Sequence, residues 1–154
     1  MMKRNISGSC SVNSLVARLL LVLGLLVLSG CSTTLVAPYD PMLRAQLVRT
    51  SVEISSFWLR MQGTDATERQ FNHYNARYDE IEMDLLVLLK LNQMRPNNLE
   101  SATQSQNLLT LWQQDITNHR QKDSFKDFLL KRRVKEYHRM FTAMLAAEDA
   151  KDMK

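Results

Sequence analysis

The sequence predicts an all-α protein: a small antiparallel bundle of about four helices, formed by residues 41–151 of a 154-residue chain. Apolar residues recur three and four positions apart along long stretches, and no stretch alternates apolar and polar residues as a half-buried strand does. After residue 31 the chain has a single glycine, Gly63, while helix-forming Leu, Met, Gln, Glu and Lys are abundant. The periodic stretches are joined by short connections, which favour antiparallel packing of neighbouring helices.

The first helix is predicted over residues 41–62. Asp40 offers a carboxylate to the free backbone N–H groups of the first turn, and Pro41 suits the first helical position. Gly63 is expected to end the helix at the C′ position, which favours glycine. The expected apolar face consists of Leu43, Leu47, Ile54, Trp58 and Met61, widened by Val48, Val52 and Leu59.

The second helix, predicted over residues 65–94, has the strongest periodicity. Between residues 85 and 91 the sequence is apolar almost all round, which predicts that other helices contact this part on two sides. Arg95-Pro96 is expected to end the helix. A heptad seam is formed by Phe71, Tyr74, Tyr78, Ile81, Leu85 and Leu88.

Two further helices are predicted over residues 99–120 and 124–151. Asp123 or Ser124 is expected to cap the last of them. Trp112 is interpreted, like Trp58, as a core side chain. The apolar side of the last helix is expected to consist of Phe125, Phe128, Leu129, Val134, Tyr137, Phe141, Met144 and Leu145.

The N-terminal segment has the layout of a secretory signal peptide. Lys3, Arg4 and Arg18 precede the apolar run Leu19–Leu28, and small residues and a cysteine follow it. The run would span about 15 Å as a helix, half of the roughly 30 Å that a bilayer core requires. The length therefore favours a cleaved signal peptide over a transmembrane helix.

The residues Leu28, Ser29, Gly30 and Cys31 resemble the lipobox, the motif that bacterial lipoprotein signal peptidase recognises. The resemblance implies that the peptidase recognises Leu28, Ser29 and Gly30. It also implies that Cys31, carrying diacylglycerol and palmitate, becomes the first residue of the mature chain.

This resemblance implies a division into a signal peptide (1–30), a flexible lipidated tether (31–40) and a helical bundle domain (41–151). Position 32 is serine rather than the aspartate that retains enterobacterial lipoproteins in the inner membrane. The expected location is therefore the periplasmic face of the outer membrane rather than the inner membrane.

Removal of residues 1–30 takes away three basic and no acidic side chains, leaving 17 basic and 16 acidic ones. The sequence pI near 9.2 is thus largely a property of the signal peptide, and the composition gives no argument for nucleic acid as a partner. Cys10 would be removed and Cys31 blocked, so no disulfide is expected.

No motif of catalysis or cofactor binding is present. His73, His119 and His138 lie in different predicted helices, and none has the Glu-x-x-His spacing of a bundle metal site. A Gly-x-Ser-x-Gly turn and a glycine-rich phosphate loop are both missing from the sequence. We therefore expect a protein that is not an enzyme, with no cofactor, no metal and no small-molecule substrate.

Charged residues concentrate on two helices. An acidic run (79–84) lies in the second helix, and the last helix is rich in cations. The basic run is either a surface for an anionic partner, or a face that pairs with the acidic run of the same chain or is merely solvated. The candidate face consists of Lys131, Arg132, Lys135 and Arg139.

The expected function is that of a membrane-anchored periplasmic lipoprotein acting as a non-catalytic protein-interaction or envelope accessory module. One alternative is a chaperone similar to the secretin pilotins, which a groove lined by Leu or Met would favour. Another is binding of lipopolysaccharide or peptidoglycan, which a closed bundle with a basic face, or the terminal Lys154, would favour. A third is an exclusion lipoprotein of plasmids or prophages, which blocks a competing element from entering the cell.

Overall fold

A computed structural model of the protein describes residues 35–153 together with Arg18. The described part is all-α, which confirms the predicted fold class, and it contains no strand. Two short 3₁₀ turns, Ala66–Glu68 and Phe71–His73, lie between the first two helices. The helices are α1 (Pro41–Gly63), α2 (Asn75–Gln93), α3 (Leu99–Lys122) and α4 (Asp127–Asp152).

The helices run antiparallel to their neighbours. Arg49 of α1 pairs with Asp84 in the middle of α2, at 2.6 Å from Nη2 to Oδ1. Glu53, further along α1, pairs with Arg77 near the start of α2, at 3.7 Å. The start of α1 also lies beside the end of α4, where Arg44 Nε is 2.5 Å from Asp149 Oδ1. Helix α1 packs against both α2 and α4, and α3 packs mainly against α2. As a result, α2 and α4 lie on opposite corners of the bundle.

Helix α1 begins as predicted and ends one residue later than predicted. Asp40 Oδ1 accepts hydrogen bonds from the backbone N–H groups of Met42 (2.9 Å) and Leu43 (3.1 Å), which are free donors of the first turn. At the other end, Gly63 is the last helical residue and does not have a positive φ. The extended residue Thr64 ends the helix, so this turn makes no use of the freedom of glycine.

Helix α2 begins at Asn75, ten residues after the predicted start. The segment before it is held by tertiary bonds, because the guanidinium of the buried Arg69 donates to the carbonyls of Gln62, Thr64 and Phe125. These bonds take the place of the helical backbone bonds that the sequence pattern predicted. Phe71 in this segment still packs against the core, which explains why the apolar periodicity extends beyond the helix.

Helix α4 begins at Asp127 rather than at residue 124. The predicted cap, Asp123, instead closes α3: its φ is 51°, and its N–H donates to His119 O at 2.8 Å. Ser124 Oγ donates to Ala66 O, at 3.1 Å. The Asp123 side chain accepts from the Phe71 N–H at 2.9 Å, so both side chains bond to the segment between α1 and α2. The first turn of α4 has no side-chain cap.

Aromatic rings fill the centre of the bundle. The Trp58 and Tyr137 rings are stacked, with centroids 6.0 Å apart, and Trp112 meets Trp58 edge to face at 5.9 Å. Trp112 Nε1 also donates to Tyr78 O, at 3.1 Å. These side chains are at most 1% exposed, which confirms the core role predicted for both tryptophans.

The second half of α2 is buried on one side only, contrary to the prediction of contact on two sides. Leu85, Leu88 and Leu89 are buried, whereas Leu86, Val87 and Leu91 face outward. The reason is the arrangement of the bundle, in which α2 occupies a corner and no fifth element covers it in the described part. The exposed residues form an apolar stripe of Met83, Leu86, Val87, Leu91 and Met94. Likewise Val48, Val52 and Leu59, predicted to widen the α1 face, are exposed.

The last residues of the predicted tether are attached to the bundle. Ala37 is 3% exposed, and its N–H donates to Asn97 O at 3.0 Å. Arg95 donates to Pro38 O, and the Asp40 N–H donates to Glu148 Oε1 at 2.8 Å. Within the described residues, the predicted tether is therefore bound to the bundle from residue 37 onward, rather than free up to residue 40.

Candidate functional site

The four predicted cations lie together on the outer face of α4. We call Lys131, Arg132, Lys135 and Arg139 the basic stripe. Their spacing of three and four residues places them on one side of the helix, and all four are exposed. The buried residues Leu130, Tyr137 and Phe141 lie on the opposite side of α4.

The positive charge of the basic stripe is not compensated by acids of the same helix. Lys131, Lys135 and Arg139 form no ion pair among the described residues, and Arg132 reaches Glu136 only at 3.8 Å. The acids of α4 pair mainly with other cations: Asp127 with Arg69, Glu136 with Arg133, Glu148 with Arg95 and Lys151, and Asp149 with Arg44.

The acidic run of α2 does not neutralise the basic stripe. Asp84 pairs with Arg49 of α1, and Glu80 pairs with Arg77 of α2 itself at 2.6 Å. Glu82 accepts a hydrogen bond from Gln113 Nε2 of α3, at 2.8 Å. The alternative of pairing between these two runs is therefore wrong, since the helices lie on opposite corners of the bundle.

Phe128 belongs to the surface, although the sequence pattern predicted it to be part of the core. Its side chain is 80% exposed, and it lies one turn before the basic stripe on the same face of α4. The prediction failed because α4 begins at Asp127, so that Phe125 enters the core from the preceding loop. An exposed aromatic ring is thus placed beside a row of cations.

A buried ion pair joins α3 and α4, and sequence reasoning missed it. Asp115 is fully buried; its Oδ1 accepts from Arg133 Nε at 2.7 Å and its Oδ2 from the Tyr137 hydroxyl at 2.9 Å. Burial raises the pKa of Asp115 to about 6, against the opposing effect of Arg133 and Tyr137. The clue in the sequence was the position of Arg133, which lies at core spacing before Tyr137.

His119 is a satisfied core residue. Its Nε2 donates to Arg69 O at 2.8 Å, and its Nδ1 accepts from the Tyr78 hydroxyl at 3.0 Å, an assignment that uses both nitrogens of a neutral ring. Phe125 stacks on the ring, with centroids 4.5 Å apart. Burial lowers the pKa of His119, which favours the same neutral form.

A second polar cluster closes the opposite end of the bundle around Glu148. This carboxylate is 2% exposed and accepts from the Asp40 N–H (2.8 Å), from both Arg95 terminal nitrogens (3.2 Å) and from Lys151 (2.6 Å). Burial acts to raise the pKa of Glu148, but the hydrogen bonds from Lys151 and Arg95 lower it overall. Lys151 also donates to Asn98 Oδ1, at 2.9 Å, which connects α4 to the start of α3.

The remaining site predictions fall outside the described residues or find no counterpart within them. Cys31 and the lipobox residues Leu28, Ser29 and Gly30 lie outside the described residues, as does Lys154. Within residues 35–153, no group of three or more His, Cys, Asp or Glu side chains is placed to hold a metal ion. No helix in this range combines the length and the apolar character that crossing a bilayer requires.

The fold and its surface define a class: a small four-helix bundle with an aromatic core, polar clusters at both ends and one basic outer face. No protein-family model, curated protein or solved structure matches the chain.

Proposed function

We propose that the protein is a lipoprotein of the bacterial cell envelope, anchored through Cys31 to the periplasmic face of the outer membrane, and that it acts by binding rather than by catalysis. The observation that carries this proposal is the sequence Leu28-Ser29-Gly30-Cys31 at the end of a short apolar run. Several acyl chains on one cysteine would hold the bundle at the membrane almost permanently, at about 0.8 kcal/mol per buried methylene group.

The buried ionisable groups support a non-catalytic role. Asp115, His119 and Glu148 each have their hydrogen-bonding atoms engaged by other side chains or by the backbone. A general acid or base needs a free hydrogen-bonding position for its substrate. These three groups instead connect helices to one another and to the loops.

Replacing Cys31 by alanine tests the anchor. We expect Cys31→Ala to lose palmitate labelling and to accumulate as an unprocessed precursor, because the modified thiol is also the cleavage site of a lipoprotein. The measurement is metabolic labelling with palmitate, followed by the mass of the purified chain. Cys10→Ala is the matched control and should be labelled and processed normally. Normal labelling of Cys31→Ala would contradict the proposal.

The apolar stripe of α2 favours a second candidate, a pilotin-like chaperone that holds a helix of an envelope protein. Met83 and Met94 are 61% and 72% exposed, and such flexible side chains adapt to a partner's surface. The exposed Asp79 and Glu80 lie one turn before Met83. The fitting occupant is thus an amphipathic helix with an apolar face and cationic residues at its flank.

A photo-crosslinking residue at Val87 tests this candidate in intact cells. If the stripe holds a partner helix, Val87 captures one envelope-machine subunit, identified by mass spectrometry, through a basic amphipathic segment. The same probe at the exposed Gln114 of α3 should not capture that subunit. Capture that is equal at the two positions, or that persists when the adjacent Leu91 is changed to Asp, would exclude the stripe as the binding surface.

A further inference from the structure

We propose that the basic stripe of α4 lies against the anionic phospholipid head groups of the membrane that holds the lipid anchor. This inference rests on the proposed function, since the anchor supplies the membrane. It assigns a ligand class to the outer face of α4, and it gives the bundle a defined orientation on the bilayer.

The charge of the stripe is available for such a surface. Lys131, Lys135 and Arg139 are exposed and form no ion pair in the described part of the chain, while the cation between them, Arg132, has one distant partner. Phosphate groups accept hydrogen bonds from lysine, and from arginine in bidentate fashion. Phospholipid head groups present these acceptors at many positions in one plane, which suits a row of cations along one side of a helix.

Phe128 adds a second, independent feature of membrane contact. Its ring is 80% exposed at the N-terminal end of the stripe, in line with the cations. Aromatic rings beside basic residues are typical of helices that lie in the plane of a membrane interface, where the ring enters the boundary between head groups and acyl chains.

The start of the described chain places the anchor within reach of this face. The backbone of Asp40 is bonded to Glu148, so the chain joins the bundle beside the C-terminal part of α4. Ala37 is six positions after Cys31, a separation of at most about 20 Å when the chain is extended. Arg139 is nine residues from Glu148, or about 14 Å along the helix. A lipid at Cys31 therefore allows α4 to lie along the membrane surface.

The outer face of α4 between Arg139 and this junction does not obstruct the approach. In line with the basic stripe, the next exposed positions along α4 are the small residues Ala143, Ala146 and Ala150. Small side chains let the helix axis come close to a flat surface. By contrast, the apolar stripe of α2, on the opposite corner of the bundle, would point away from the membrane.

Fluorescence quenching on vesicles tests the orientation. The chain has no cysteine after Cys31, so one introduced cysteine can be labelled in the lipidated mature protein. Probes at His138→Cys, beside the stripe, and at Met83→Cys, on α2, are compared on phosphatidylcholine vesicles with and without phosphatidylglycerol, using a spin-labelled head group as the quencher. We expect strong quenching at position 138 on the anionic vesicles and little at position 83, with a loss of the difference at high salt.

Charge reversal supplies the matched pair of variants. Each basic side chain near an anionic surface raises affinity about fivefold, so Lys131→Glu with Lys135→Glu should lower the docked population about 30-fold or more. Arg60→Glu with Lys90→Glu changes the net charge equally on α1 and α2, and should leave the quenching at position 138 unchanged. Both pairs replace exposed side chains that have no ion-pair partner among the described residues, so both variants should fold.

The outcomes separate this inference from the proposed function. Protein that floats with the vesicles but shows equal quenching at the two probes keeps the anchor and overturns the orientation. Quenching at position 138 that is the same without phosphatidylglycerol, or in the Lys131 and Lys135 variant, also overturns it. A mature chain that carries no lipid overturns both proposals. Anion-dependent quenching at position 138 alone supports the inference.

Discussion

Leu85→Asp should unfold the bundle. Leu85 is fully buried in α2 among the core residues, and its loss alone would cost about 2–5 kcal/mol. An aspartate there adds a buried carboxylate with no partner, so we expect a total loss of at least about 4 kcal/mol. That loss is comparable with the whole stability of a domain of this size. Circular dichroism during urea titration measures it directly.

The adjacent residue provides the control for this prediction. Leu86 is 39% exposed in the apolar stripe, and Leu86→Asp introduces the same charge one position away on the same helix. We expect the free energy of unfolding of this variant to lie within about 1 kcal/mol of that of the unmodified protein, because surface substitutions have small effects. Similar midpoints for the two variants would show that the described core is incorrect.

Arg133→Met should destabilise the protein by about 3 kcal/mol at pH 7, because it leaves the buried carboxylate of Asp115 without its counter-ion. The matched control is Arg132→Met. Arg132 is the residue before Arg133; it is exposed and forms only a weak ion pair, with Glu136 at 3.8 Å. That change should cost less than about 1 kcal/mol. The comparison separates the buried pair from a general effect of charge on α4.

The cost of Arg133→Met should also depend on pH. Asp115 has a folded-state pKa of about 6, above its ordinary value of 3.8, so its ionisation opposes folding as the pH rises through about 6. Arg133 stabilises only the ionised form. The difference in unfolding free energy between the two proteins should therefore be larger at pH 7 than at pH 5. A difference that is constant across this range would contradict the assigned pairing.

The fold class followed from patterns that are local in the sequence. Asp40 and Pro41 start α1 through interactions within a few residues, and the spacing of Tyr78, Ile81 and Leu85 directly describes one face of a helix. The predicted start of α2 failed because its cause is not local. Arg69 bonds to carbonyls on both sides of the segment, including that of Phe125, 56 residues away.

The candidate site was predictable only in part. The basic stripe could be read from the spacing of Lys131, Arg132, Lys135 and Arg139, since one helix carries all four. Whether these cations were free depended on where the acids of other helices lie, and spacing within one helix contains no such information. The exposure of Phe128 and the apolar stripe of α2 had the same origin, because both follow from which corner of the bundle each helix occupies.

The junction around Glu148 has a mechanical consequence. The chain before Asp40 is fastened to the α2–α3 loop at Ala37 and Pro38, and to α4 through Glu148. A pull on the chain from its N-terminal side would thus load bonds to two other parts of the bundle before it could peel the first turn of α1. The junction would therefore distribute a force applied at the N-terminal side over several helices instead of concentrating it on the first turn of α1.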